Sequence, residues 1–118
     1  MAHILVIDDE ESILFTLDRF LSAEKHKVST ADSYCAALSR IDEEYFDLIL
    51  ADINLGDGWG IDILHVVVRR DLNTRVIIMT AYPTSETRAE SLRRHAKDYL
   101  VKPLRQKNLV RSVENVLQ

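Results

Sequence analysis

Cysteine, glycine and tryptophan are scarce in this chain, and positive charge is not in excess. One cysteine among 118 residues excludes an internal disulfide. The formal net charge is -4, and no basic stripe of the kind that grips phosphate backbones is present, which argues against direct nucleic-acid binding. No apolar run reaches membrane-spanning length, and the first one begins too near Met1 to leave room for a signal peptide. We therefore expect a cytoplasmic chain without membrane contact.

What is present is the composition of an ordinary globular domain. Hydrophobic residues make up 47% of the chain and charged residues 29%. A chain of 118 residues buries about two-thirds of its unfolded surface on folding, so we expect residues 1–118 to form one domain. The single cysteine, Cys35, falls in a predicted helix and is expected to be a small packing residue.

Short apolar strands alternate with helix-length segments five times along the chain. Asp32 and Ser33 offer an N-terminal cap for the second of the helices. Strands that are separated by helices need crossover connections, which predicts an α/β fold with a parallel sheet. The strands are predicted at residues 4–7, 27–30, 48–51, 76–79 and 99–101.

The third and fourth helices are the least clear in the sequence. All three glycines lie in the segment 55–60, which predicts one tight loop before a third helix at about 61–70. The fourth helix is expected at 85–95, where only Ala89 and Leu92 are apolar anchors. Its thin apolar face predicts weak anchoring and low local stability.

Polar residues stand at or just beyond the carboxyl ends of four predicted strands. Open parallel α/β sheets bind ligands outside the carboxyl ends of their strands. Each residue alone has an ordinary explanation, such as an acid at a helix N-terminus or a lysine on the surface, but their coincidence indicates one site. Three carboxylates, a hydroxyl and an ammonium predict a pocket that binds a cation and handles an anion. The five residues are Asp8, Asp9, Asp52, Thr80 and Lys102.

The motifs at these strand ends resemble those of the receiver domain of two-component response regulators. The resemblance covers essentially all 118 residues. It implies a flavodoxin-like fold, a three-layer (βα)5 sandwich around a five-stranded parallel sheet with strand order 2-1-3-4-5. The matching motifs are Ile7-Asp8-Asp9-Glu10, the lone Asp52, Thr80-Ala81 and Tyr99-Leu100-Val101-Lys102-Pro103.

The resemblance implies a phosphoacceptor rather than a turnover enzyme. Asp52 is then the nucleophile that takes a phosphoryl group from a sensor histidine kinase or a histidine phosphotransfer protein. Lys102 and Thr80 supply a positive charge and a hydrogen-bond donor to the phosphoryl oxygens. Crowded carboxylates repel one another, and Mg²⁺, for which Mn²⁺ can substitute, relieves the repulsion. The expected ligands are Asp9 and Asp52 directly, Asp8 mainly through water, and the backbone carbonyl of Asn54.

The resemblance also implies a switch built from Thr80 and Tyr99. A phosphoryl group on Asp52 is expected to draw the Thr80 hydroxyl inward, after which the Tyr99 ring turns into the vacated space. The face formed by the fourth helix, fifth strand and fifth helix then changes shape. An output domain, an effector protein or a second copy of the chain, in a phosphorylation-dependent homodimer, is expected to recognise this face.

Three further residues are expected to tune the site. Asn54 and Tyr82 lie two positions beyond Asp52 and Thr80, and by the same resemblance they flank the water that attacks during dephosphorylation. Pro103 is expected to influence the conformation of the segment that follows the fifth strand.

Two other classes of protein are alternatives. A flavodoxin-like ligand-binding module would hold a flavin phosphate with its first loop, but here that loop reads Asp8-Asp9-Glu10-Glu11, which repels phosphate without a metal. An aspartyl-phosphate phosphatase of the haloacid-dehalogenase kind needs two aspartates separated by one residue, whereas Asp8 and Asp9 are adjacent.

The sequence departs from the family pattern at two positions. Gly56 stands where the family usually has proline, so we expect a more mobile loop after Asp52, with Trp59 either shielding the site or simply exposed. His95 stands where the family often has a glycine that ends the fourth helix, which weakens the expectation of a left-handed cap there.

Overall fold

A computed structural model describes all 118 residues. The strands are β1 (His3–Ile7), β2 (Lys27–Ala31), β3 (Leu48–Asp52), β4 (Asn54–Leu55), β5 (Gly58–Trp59), β6 (Arg75–Thr80) and β7 (Asp98–Val101). Five of them form a parallel sheet in the order β2-β1-β3-β6-β7, while β4 and β5 form a separate hairpin. Numbered along the chain, the strands of the main sheet have the order 2-1-3-4-5, which confirms the flavodoxin-like topology.

Five helices cover the two faces of the sheet. They are α1 (Glu11–Ala23), α2 (Tyr34–Glu43), α3 (Asp62–Arg69), α4 (Ser85–Arg93) and α5 (Gln106–Leu117). Helices α1 and α5 pack in one hydrophobic core, and α2 and α3 pack in the other. Every residue of β3 is buried because both faces of this central strand are covered. None of the five helices has the length and hydrophobicity that crossing a bilayer requires.

The helix ends follow local chemistry, and the cap predicted for α2 is confirmed. Ser33 is the N-cap residue, and its hydroxyl accepts a hydrogen bond from the Ala36 N–H at 2.9 Å. Three helices end on a left-handed residue that is not glycine: Lys25 after α1, Asp71 after α3 and His95 after α4, with φ of 68°, 52° and 74°. Their N–H groups bond back into the last helical turn. The doubt about a left-handed cap at His95 is therefore not borne out, since the cap forms with histidine.

Two expectations about side-chain burial are also wrong. Ala89 and Leu92 of α4 face solvent, and Ser91 is the buried residue of this helix. The Ser91 hydroxyl donates to the Thr87 carbonyl one turn earlier at 2.7 Å, so this small polar side chain is buried without an unpaired group. Cys35 is exposed on α2 and does not pack in the core.

Candidate functional site

The carboxyl ends of β1 and β3 bring two buried carboxylates together. Ile7 pairs with Ala51 in the parallel register, so Asp8 and Asp52 lie at neighbouring strand ends. Asp8 is fully buried and Asp52 is 5% exposed. The strands that carry them are buried apart from His3, so they fix these carboxylates in place and deprive them of most of their water.

Lys102 reaches this pair from the end of β7. Its Nζ lies 2.5 Å from Asp8 Oδ2 and 3.3 Å from Asp52 Oδ1. Burial alone would lower the pKa of Lys102, but the hydrogen bond with Asp8 and the charge of Asp52 outweigh it and raise that pKa. The ammonium is therefore charged and partly neutralises the two acids.

Asp52 remains the less well compensated carboxylate of the two. Burial, together with the negative charges of Asp8 and Asp9, raises the pKa of the Asp52 carboxyl to about 6, although Lys102 opposes the shift. A carboxyl with a pKa near 6 is still mostly ionised at neutral pH, so it can act as a nucleophile. Any added positive charge nearby would stabilise its ionised form.

Asp9 and Glu10 extend the acidic site outward. One carboxylate oxygen from each of Asp8, Asp9 and Glu10 lies within 4.8 Å of the others, and Asp9 and Glu10 are exposed. The Glu10 N–H donates to Asp8 Oδ1 at 2.9 Å, so both oxygens of Asp8 already have protein partners. Sequence reasoning missed Glu10, although its place beside two site aspartates was a visible signal.

Thr80 ends β6 at the same edge of the sheet as Asp52, since Met79 pairs with Asp52 in the parallel register. The residue is fully buried, and its Oγ1 accepts a hydrogen bond from the Tyr82 N–H at 3.0 Å. This bond uses a lone pair, so the hydroxyl proton stays available for donation to an anion. Tyr82 itself is 75% exposed.

The segment after Asp52 forms a hairpin instead of the single tight loop expected from its glycines. Asn54 pairs with Trp59 in the antiparallel hairpin. The Gly60 N–H donates to the Ile53 carbonyl at 2.7 Å and closes the loop. A Cβ at Gly60 would lie 1.8 Å from the Asp52 carbonyl oxygen, so only glycine permits this approach.

Tyr99 lies outside the acidic cluster, on the side of β7 that faces α4. It is 5% exposed, and its hydroxyl lies 2.7 Å from Thr87 Oγ1. The Arg88 guanidinium stands 5.3 Å from the centre of the ring. The ring is thus already inward, and the inward turn expected from the sequence is not required to bury it. Pro103 follows Lys102 through a cis peptide bond.

The donor set fits a hard divalent cation. Every side-chain ligand candidate is a carboxylate oxygen, and Mg²⁺ prefers one or two carboxylates together with waters and phosphate oxygens. The Asp52 carboxylate and the Lys102 ammonium lie 3.3 Å apart beside these acids, and Thr80 carries a buried hydroxyl at the end of the neighbouring strand. Such a site suits phosphoryl transfer, which depends on positioning and on neutralising charge.

The chain matches proteins of one kind over nearly its whole length. The family model for the response regulator receiver domain matches residues 4–114. Transcriptional regulatory protein ZraR of Escherichia coli (strain K12) is 38% identical over 114 residues, which is 97% of this chain and 26% of that protein. The chain therefore spans about a quarter of the length of this curated relative.

Solved structures agree with the sequence comparison. A CheY-like response regulator receiver domain protein from Methanospirillum hungatei JF-1 superposes with a TM-score of 0.94 at 29% identity, covering 99% of this chain and 94% of that one. A response regulator protein from Burkholderia pseudomallei, solved with a phosphorylated aspartic acid, calcium ion and citrate, gives a TM-score of 0.87 at 29% identity over 100% of this chain and 67% of that one.

Nothing in these comparisons favours the flavodoxin-like or phosphatase alternatives. The acidic pair, the lone aspartate, the threonine and the lysine stand at the strand ends where the family motifs predict them. The chain belongs to the response regulator receiver domain family and is a phosphoacceptor domain of two-component signalling.

Proposed function

We propose that Asp52 is the residue of this receiver domain that accepts the phosphoryl group. The observation that carries the proposal is a buried carboxylate at the end of the central strand, 3.3 Å from a lysine ammonium. A carboxylate oxygen of Asp52 attacks the phosphorus of a phosphohistidine, the new O–P bond forms as the P–N bond breaks, and the released imidazole takes up a proton. The product is an acyl phosphate.

Lys102 and Thr80 act on the transferred group rather than on the nucleophile. The Lys102 ammonium, now shared by Asp8 and Asp52, pairs with one phosphoryl oxygen. The Thr80 hydroxyl donates its proton to another while its lone pair keeps the Tyr82 N–H. Both interactions strengthen as charge develops on the phosphoryl oxygens, so they stabilise the transition state more than the ground state.

The residues present fit Mg²⁺, or Mn²⁺ in its place. Asp9, Asp52 and the Asn54 carbonyl would hold the ion directly, and Asp8 would contribute through water. Exposed Asp9 is free to turn toward a cation, whereas both oxygens of Asp8 are engaged by Lys102 and the Glu10 N–H. When bound, the ion neutralises charge on the carboxylates and on the phosphoryl oxygens.

Membership of the receiver family supports two kinds of partner for this chain. A sensor histidine kinase or histidine phosphotransfer protein supplies the phosphoryl group, in the cytoplasm. The face of α4, β7 and α5 passes the signal to an output domain, an effector or a second copy of the chain. The domain modifies itself and does not turn over a separate substrate.

Acetyl phosphate with Mg²⁺, followed by intact mass measurement, tests the acceptor. We expect one labile phosphoryl adduct in the wild type, none when EDTA replaces Mg²⁺, and none in Asp52→Asn. Asp42→Asn is the matched control, because Asp42 is an exposed carboxylate that pairs with Arg70 away from the site. An adduct that persists in Asp52→Asn would place the acceptor elsewhere.

A further inference from the structure

The tip of the β4–β5 hairpin is attached to the start of α2 by one side chain. Asp57 Oδ1 accepts a hydrogen bond from the Tyr34 N–H at 2.7 Å, and Oδ2 accepts one from the Cys35 N–H at 2.9 Å. These two N–H groups lower the pKa of the Asp57 carboxyl. The bonds join residues more than 20 positions apart and bind the hairpin to a different helix from the one that follows it.

This attachment completes the N-terminus of α2. The first four N–H groups of a helix have no partner within the helix. Ser33 supplies its hydroxyl to Ala36 N–H and its carbonyl to Ala37 N–H. Asp57 accepts hydrogen bonds from the remaining two, Tyr34 and Cys35, so each of the first four N–H groups of α2 has a partner.

A close contact and a tight turn hold the rest of the hairpin. Gly58 packs on the Tyr34 side chain so closely that a Cβ there would lie 2.7 Å from the ring carbon Cγ. At the other end, Gly60 packs against the Asp52 carbonyl and bonds to Ile53. The hairpin is therefore fixed at its tip by α2 and at its base by the strand that carries the acceptor.

We propose that Asp57 is a positioning residue for the phosphoryl site, acting through the β4–β5 hairpin. The proposal rests on the proposed function, because the hairpin begins at Asn54, the residue whose carbonyl is assigned to the metal. Holding the tip against α2 limits the positions that this carbonyl and the backbone after Asp52 can take. Release of the tip leaves the nucleophile in place but makes its surroundings variable.

The first test uses the protein without metal or phosphate. Amide hydrogen exchange at Gly60 reports opening of the loop next to Asp52, since this N–H closes it. We expect Asp57→Ala to speed Gly60 exchange about fivefold, as for loss of a helix cap, and to change the emission of Trp59 in the hairpin. Asp57→Asn keeps one carbonyl acceptor and should give an intermediate value.

Ser33→Ala is the matched control. It removes another cap of the same helix but leaves the Asp57 carboxylate free to bond to Tyr34 and Cys35. Gly60 exchange and Trp59 emission should stay at wild-type values in this variant. Unchanged Gly60 exchange in Asp57→Ala, or equal acceleration in Ser33→Ala, would overturn the proposal, because the hairpin would then not depend on this contact.

The second test links the hairpin to the site. Mg²⁺ alone is titrated by calorimetry, and acetyl phosphate modification is timed by mass. We expect Asp57→Ala to lower both the Mg²⁺ affinity and the modification rate by about fivefold, with Ser33→Ala unchanged. Wild-type values for both in Asp57→Ala would reject the positioning role. A wild type that neither binds Mg²⁺ nor takes up the phosphoryl group would instead refute the proposed function, while Gly60 exchange would still report on the attachment.

Discussion

The charge balance around Asp52 is the feature at residue scale with the clearest thermodynamic consequence. Asp8 and Asp52 share one ammonium, and the closer contact belongs to Asp8. The Asp52 side chain is only 8% exposed, so its ionised form lacks both water and a full counter-charge. Its pKa is raised from the ordinary value of 3.8 to about 6. The folded protein therefore holds the Asp52 proton more tightly than the unfolded chain does.

The first prediction is that this carboxylate makes the metal-free protein less stable as pH rises. Between about pH 4 and pH 6 the folded state binds more protons at Asp52, so the free energy of unfolding falls as pH rises through that window. Asp52→Asn removes the ionisation and should raise stability at pH 7.5 by about 3 kcal/mol, with a smaller gain at pH 4.5. Urea unfolding in EDTA at the two pH values measures the difference.

Added Mg²⁺ provides the control for this prediction. Asp52 is one of the proposed Mg²⁺ ligands, and its carboxylate is the group that lacks a counter-charge, so Mg²⁺ should stabilise the wild type more than Asp52→Asn, which keeps the other ligands. A variant that is less stable than the wild type at pH 7.5 in EDTA would show that Asp52 is well compensated after all.

The helix ends show at residue scale how the chain manages with few glycines. All three glycines serve the hairpin segment or its base, and three helices end on lysine, aspartate and histidine in the left-handed region. The left-handed conformation costs a residue with a Cβ about 1–2 kcal/mol of steric strain. Glycine avoids this strain but loses more conformational entropy on folding.

The second prediction is that His95→Gly stabilises the protein by about 0.5–1 kcal/mol, because it relieves the left-handed strain after α4 while keeping both backbone bonds of the cap. His95 is exposed, so little packing is lost. Urea unfolding measures the gain. His95→Ala is the control and should give no gain, since alanine also carries a Cβ. Equal stability of the glycine and alanine variants would remove the strain argument.

At the scale of elements, α4 is held by polar contacts rather than by an apolar face. Its one buried residue is Ser91, and its first turn carries a capping box in which Thr84 and Thr87 bond to each other's backbone. The Thr87 hydroxyl also meets the Tyr99 hydroxyl of β7. Apolar periodicity does not report such an interface, so the helix was predicted but its buried face was not.

The third prediction is that Tyr99→Phe loosens the first turn of α4 without affecting phosphorylation. Phenylalanine keeps the buried ring but removes the 2.7 Å contact with Thr87, at a cost of about 0.5–1.5 kcal/mol. Amide exchange over residues 85–90 should rise, while the rate of modification by acetyl phosphate stays at the wild-type value. Tyr45→Phe, at an exposed tyrosine outside this contact, is the control. Unchanged exchange in α4 would mean that the hydroxyl contact does not hold the helix.

The limits of prediction from the sequence are also clearest at this scale. Placing Asp8, Asp52, Thr80 and Lys102 needed only the strand positions and the rule that ligands bind at the carboxyl ends of parallel strands. The β4–β5 hairpin was missed because two-residue strands carry no periodic signal. Its link through Asp57 to α2 was missed because the contact is non-local and uses backbone donors.

At the scale of the whole molecule, a short series of hydrogen bonds connects Thr80 to the face formed by α4, β7 and α5. The Tyr82 N–H bonds to the Thr80 hydroxyl, and the chain then runs directly into the capping box at the start of α4. The same first turn of α4 contacts Tyr99 on β7. We therefore expect a movement of the Thr80 side chain to act on the loop 81–84 first and to reach β7 through α4. This route differs from the expected one, in which an outward ring turns into empty space.

The last prediction is that Thr80→Ala uncouples this face from Asp52. A hydrogen bond to a charged oxygen contributes about 1.5–3 kcal/mol, enough to draw the Thr80 hydroxyl toward a phosphoryl group while it still accepts the bond from the Tyr82 N–H. Alanine has no hydroxyl to respond, yet the acceptor, Lys102 and the acidic cluster remain intact.

Beryllofluoride, a phosphoryl mimic, should therefore shift NMR signals around Asp52 in both proteins. Shifts through residues 82–99 should be large in the wild type and reduced in the variant, with Thr16→Ala, an exposed α1 position, behaving as wild type. If Thr80→Ala gives the full wild-type pattern through residues 82–99, the signal leaves the site by another element, and α3 with its hairpin becomes the path to test.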